Sequence, residues 1–220
     1  MGEVTRMKDI IKNEFDHLCD EYNISKDICN LSIGTDIMSI YNKYGKYKDI
    51  EYYKTPKEFF DSIMIYYCDM LNNRLSHSCY YIDSNTINYE ICISEHVLTN
   101  FVLKIYEDNL DKNILIKYLK ITIRHEIGHI LHYIEVFNKK GFEAGCKYFN
   151  YQRMRQDMAY EKFMKKLYKE YDEDENISDY DFLYKSIKKY YSHKGERTAN
   201  RLANVNLKEY IKVSLAVMKV

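Results

Sequence analysis

Residues 121–134 read Ile121-Thr122-Ile123-Arg124-His125-Glu126-Ile127-Gly128-His129-Ile130-Leu131-His132-Tyr133-Ile134. The isoleucines and the leucine recur at helical spacing and predict a buried helix, capped by Asp111 and running from about Asn113 to Phe137. His125 and His129 are four residues apart, so both imidazoles fall on one helix face, one turn apart, where they can share a tetrahedral metal ion. Glu126 follows the first histidine and projects beside that ion, where it can accept a proton from water. Gly128 has no side chain and allows another element to approach closely.

This is the H-E-x-x-H arrangement found in zinc metallopeptidases. Without a metal, a buried His-Glu-His row is costly to desolvate. Three histidines on one stripe cannot all reach one ion. The helix rises about 1.5 Å per residue, which carries His132 roughly 10 Å along the axis from His125. His132 is therefore read as packing around the site.

The third ligand is less legible. Metzincins place theirs six residues after the second histidine, here Glu135, and need a glycine midway to turn the chain back. That position is His132, so the helix continues and carries Glu135 away. Downstream, Asp157 and Glu161 share a helix face. The stretch from Tyr151 to Met164 resembles that of gluzincins, in the form found in small phage and bacterial zincins. In these a second helix supplies an acidic ligand, and an acid four residues later bonds a metal-binding histidine. The resemblance covers about residues 80 to 165 and rests on His125, Glu126, Gly128, His129, Tyr151 and Phe163. Asp157 stands where the pattern has glutamate, Tyr160 where it has a small residue, and Met164 where it has alanine. It implies a zincin-like fold with zinc, one ion per chain, on His125, His129 and Asp157, with Glu126 as general base. Glu143 and Glu161 are reserve ligands.

Elsewhere the chain supports an α+β class with helix strongly dominant. Ile10, Ile11, Phe15, Leu18 and Cys19 predict a first helix over Met7 to Tyr22. Thr55-Pro56-Lys57-Glu58 has the form of a helix start, continuing to Leu71. Tyr80-Tyr81-Ile82 and Ile87–Ile93 flank Asp83-Ser84-Asn85 and predict a hairpin. Ser94 caps the helix after it. Beyond Gly141 the reading is helical, with breaks near Asp172–Ser178 and Gly195. We read one domain over 1–220, with a helical part (1–75), a metal-binding core (76–170) and C-terminal helices (171–220).

The 33 basic and 33 acidic residues balance, which gives no basic face for nucleic acid. No apolar run is long enough to span a bilayer, and the first residues lack a signal peptide's apolar stretch. The six cysteines form no C-x-x-C pair and are read as free thiols of a cytoplasmic protein. The expected activity is peptide hydrolysis, with the strand Tyr89–Ile93 holding an extended peptide or protein substrate by strand addition. The alternative is a zincin-like metal-binding domain that binds a protein partner without turnover.

Overall fold

The structure is a computed structural model that describes residues 2–34, 75–83, 86–173 and 177–218. The helix expected from Thr55 to Leu71 lies outside these residues, as do Cys68 and the hairpin's Ser84 and Asn85. In chain order the described elements are α1 (Gly2–Glu21), β1 (Cys29–Gly34), β2 (Ser76–Asp83), β3 (Thr86–Ser94), α2 (Glu95–Glu107), α3 (Lys112–Lys140), α4 (Phe142–Glu173), α5 (Asp179–Tyr191), α6 (Lys194–Leu202) and α7 (Leu207–Met218). The class is α+β, and helix dominates.

Helix α3 is the axis of the fold. Leu115, Leu119, Ile123, Ile127 and Ile130 form its fully buried stripe, each worth roughly 1.5–3 kcal/mol when taken from water. Around it pack α1, α6, α7, α4 and β2. Its ends are set locally: the Asn113 amide donates to Asp111 Oδ1 at 2.8 Å, and Gly141 ends the helix at φ 76°. A positive φ there suits a residue without a Cβ. Helix α1 presents Met7, Ile11, Phe15 and Leu18 to the core. It is also tied to α3 by a two-pronged contact of Arg124 with Glu21, at 2.9 and 3.1 Å.

The hairpin forms as expected, with Tyr80 opposite Tyr89 and Ser78 opposite Ile91. The sheet also holds a strand that the sequence reading missed. β1 lies in the part read as helical and pairs parallel to β3, Cys29 opposite Tyr89 through Gly34 opposite Ser94. The order β1-β3-β2 puts β3 in the middle. A short parallel strand draws its hydrogen bonds from a partner far along the chain, so local pattern signals it weakly. The C-terminal breaks fall close to expectation, except that Gly195 lies inside α6 and the chain breaks just before it.

Candidate metal centre

Three elements converge on one point. Helix α3 supplies His125 and His129, whose Nε2 atoms are 3.2 Å apart. Helix α6 supplies Glu196, whose Oε2 lies 3.1 Å from His125 Nε2 and 3.4 Å from His129 Nε2. Strand β2 supplies Ser76, whose hydroxyl donates to Glu126 Oε1 at 2.6 Å. His125, Glu126 and Glu196 are buried, and His129 opens partly toward a cavity of about 360 Å³. Ser78, Tyr80, His132, Tyr133, Tyr148 and Phe149 help to line that cavity.

The crossing of α3 and α6 explains why the acid arrives here. A Cβ built on Gly128 would stand 2.1 Å from the Ala199 carbonyl oxygen and 2.7 Å from its carbon. Only glycine lets the two backbones meet this closely, and the approach seats Glu196 beside the histidines. Ala199 on α6 and Ala203, the residue that caps its end, are both fully buried.

The surrounding bonds orient each donor. Asn200 Oδ1 accepts from His125 Nδ1 at 2.8 Å, which leaves the lone pair of Nε2 facing inward. The rings of Tyr191 and Tyr210 flank His125 at centroid distances of 5.4 and 5.5 Å and fix its plane. Gln156 of α4 donates to Glu196 Oε1 at 3.2 Å, leaving Oε2 turned to the histidines. That Oε2 is buried and has no hydrogen bond of good geometry.

Two imidazole nitrogens and a carboxylate oxygen therefore share a small volume, which is unfavourable unless a proton or a metal cation lies among them. Burial opposes charge on His125, but the adjacent Glu196 carboxylate outweighs it and lifts the imidazole above its ordinary value. Burial also opposes charge on Glu196, and His129 and His125 together hold it well below the usual carboxylate range. Donors held about 2.0–2.1 Å from a tetrahedral zinc ion stand roughly 3.3 Å from one another. The spacings of 3.2, 3.1 and 3.4 Å meet that requirement, so the residues present fit the ion.

The structure does not bring Asp157 to this point. Its side chain is 69% exposed and is paired with Arg153 at 3.8 Å. Successive helical residues turn by about 100°, and on α4 it is Gln156, one position earlier, that faces inward. Asp157 stays at the cavity rim. The reserve acids are also remote: Glu143 pairs with Lys147 and Glu161 with Lys165, both at 2.7 Å on the surface, and Glu135 is exposed on the continuing helix. His132 is buried against Phe149 and Tyr148, at centroid distances of 5.1 and 6.2 Å.

The strand beside the cavity is β2, not the expected Tyr89–Ile93. β3 is paired on both edges and has no free edge for another strand, whereas Ser76, Ser78 and Tyr80 of β2 line the site.

Glu196 went unread because it lies 67 residues beyond His129, on a helix of nine residues. The available signal was Glu196-x-x-x-Asn200 together with Ala199, an acid and a polar residue one turn apart beside a small residue able to meet Gly128. Comparison of the chain with protein-family models, with curated proteins and with solved structures gives no match. Among the described residues, no helix is long and apolar enough to cross a membrane.

Proposed function

We propose that the protein is a zinc-dependent metallopeptidase of zincin-like fold and gluzincin-like ligand set, with zinc held by His125, His129 and Glu196. The observation that carries this reading is the convergence of His125 Nε2, His129 Nε2 and Glu196 Oε2 at tetrahedral spacing beside the buried carboxylate of Glu126.

Three protein donors leave a fourth position open, the arrangement of hydrolytic zinc sites. A bound zinc ion supplies Lewis-acid polarisation of the scissile carbonyl and acidifies water at that position. Glu126 takes the proton from the attacking water and delivers it to the departing amine. Ser76 holds one oxygen of Glu126 and leaves the other available for this transfer. Asn200, Gln156 and the two flanking tyrosines keep the ligands in place and spare them reorganisation during turnover.

The border of the cavity supports the reading of an extended substrate. β2 borders it with Ser76, Ser78 and Tyr80, and main-chain groups along a strand suit recognition of a peptide backbone. Tyr80, Tyr133 and Phe149 form a wall of edge-on and tilted aromatic contacts at 4.8–5.9 Å that suits an apolar side chain of that peptide.

The test is turnover of a quenched-fluorescence peptide library by the full chain loaded with zinc. Cleavage should occur, stop on chelation and return with zinc. Glu126→Gln should keep zinc while cleavage falls by several orders of magnitude. Zinc binding without cleavage of any peptide would instead favour a metal-binding domain that engages a partner without turnover.

A further inference from the structure

A second group of metal-ligating side chains lies in the sheet, apart from the histidine site. Cys79 of β2 and Glu90 and Cys92 of β3 bring two thiol sulfurs and a carboxylate oxygen within 4.8 Å of one another. Glu90 is 1% exposed and Cys92 is 4% exposed, while Cys79 is half-buried. The register explains the meeting: Cys79 stands directly opposite Glu90, and Cys92 is two residues along the same strand, so all three project from one face. The opposite face carries Ser76, Ser78 and Tyr80 toward the cavity, so the sheet separates the two groups.

We propose that Cys79, Glu90 and Cys92 form a second, structural site for a thiophilic divalent cation of the zinc class. Two sulfurs beside one carboxylate select a borderline-soft ion, while calcium and magnesium prefer all-oxygen shells. The strand geometry separates this from a disulfide. Cys79 and Cys92 are a diagonal pair, whose Cα atoms in an antiparallel ladder stand about 7–8 Å apart. A disulfide needs a closer approach and would shift the strands, whereas an ion between the sulfurs bridges a wider separation than a sulfur–sulfur bond.

A hydrogen bond ties the group to the third strand of the sheet. The Ser32 hydroxyl of β1 supplies a hydrogen bond to one oxygen of Glu90. An ion held by the three groups would tie β2 to β3, while Ser32 connects Glu90 to β1. On binding, both thiols release their protons to solvent and coordinate as thiolates, while Glu90 coordinates as carboxylate. The register places His77 opposite Cys92, at the same level of the sheet.

Zinc-edge X-ray absorption on the full chain loaded with two equivalents of zinc tests this directly. The histidine site has only nitrogen and oxygen donors, so sulfur scatterers at about 2.3 Å report the thiol site alone. We expect that sulfur shell, and expect Cys79→Ser/Cys92→Ser to lose it together with one equivalent of zinc. His125→Ala/His129→Ala should retain it, whatever the fate of the peptidase reading. A zinc-loaded chain with nitrogen and oxygen scatterers only overturns the proposal, as does a sulfur shell that persists in the double cysteine variant. If that variant does not fold, alkylation of the unmutated chain mapped by mass spectrometry decides. Zinc should slow modification of Cys79 and Cys92 but not of Cys146, and equal rates with and without zinc overturn the assignment.

Discussion

Gly128→Ala tests whether the crossing of α3 and α6 builds the proposed metal centre. The new Cβ would lie 2.1 Å from the Ala199 carbonyl oxygen, against an ordinary contact of at least 3.4 Å. The gap must grow by 3.4 − 2.1, about 1.3 Å, and the obstacle is helix backbone, which cannot rotate aside as a side chain would. Glu196 and Asn200 ride on the same helix as Ala199 and must move with it. Coordination tolerates only about 0.2 Å of change in ligand distance, so a shift of this size removes Glu196 from the ion and Asn200 from His125.

The cost to stability is smaller. Overpacking costs roughly 1–3 kcal/mol, and alanine recovers about 1 kcal/mol of helix propensity over glycine. For a chain of this size each kcal/mol moves the melting temperature by roughly 2–4 °C. Metal-free Gly128→Ala should therefore melt only a few degrees lower, while its zinc affinity, measured by competition with a chromophoric chelator, falls at least about 100-fold. A folded variant that binds zinc as tightly as the parent would refute the idea that this backbone contact positions Glu196.

Other expectations follow from the same geometry. Glu196→Ala should remove zinc and activity together, whereas Asp157→Ala should leave zinc affinity within about twofold, as expected of an exposed ion-paired acid; equilibrium dialysis of both variants decides between the two ligand sets. Asn200→Ala removes the acceptor that orients His125 and should weaken zinc by about 10- to 100-fold, read by the same chelator competition. His132 supplies a pH test. Burial, followed by the positive charge of His129, pushes its pKa down from 6.5 to about 4. Its unfolded form takes up the proton first, so its contribution to stability is complete above about pH 6.5 and is lost as pH falls toward 4. Metal-free His132→Gln should then lose less melting temperature than the parent across that window, and parallel curves would show that His132 has no part in acid unfolding.

The residues of the candidate site differ in how far they could be read from the chain. His125, Glu126 and His129 are adjacent in sequence and lie on a long apolar helix, so their convergence follows from helical periodicity alone. The caps Ser94 and Asp111 were equally legible, because a cap is a bond between residues two or three apart. Setting Glu135 aside needed only the absence of glycine at position 132, and setting His132 aside only the rise of a helix.

The third donor was a different kind of problem. Asp157 and Glu196 are both acids on helices downstream of the histidines, and local sequence favours neither. What separates them is a rotation of about 100° on α4, which turns Gln156 inward and Asp157 out, and the fit of Ala199 against Gly128, which draws α6 onto the site. Strand β1 belongs with them, since its hydrogen bonds exist only once β3 lies beside it.

By itself the sequence determined what repeats over short intervals: the apolar stripe of α3, the histidine pair, the glutamate between them and the glycine that leaves room. The tertiary structure alone decided which distant carboxylate fills that room and which strand borders the cavity. The physical reason is that a helix face is set by bonds between near neighbours, whereas a candidate metal centre closed by a second helix depends on the backbone contact of Gly128 with Ala199, 71 residues further along the chain.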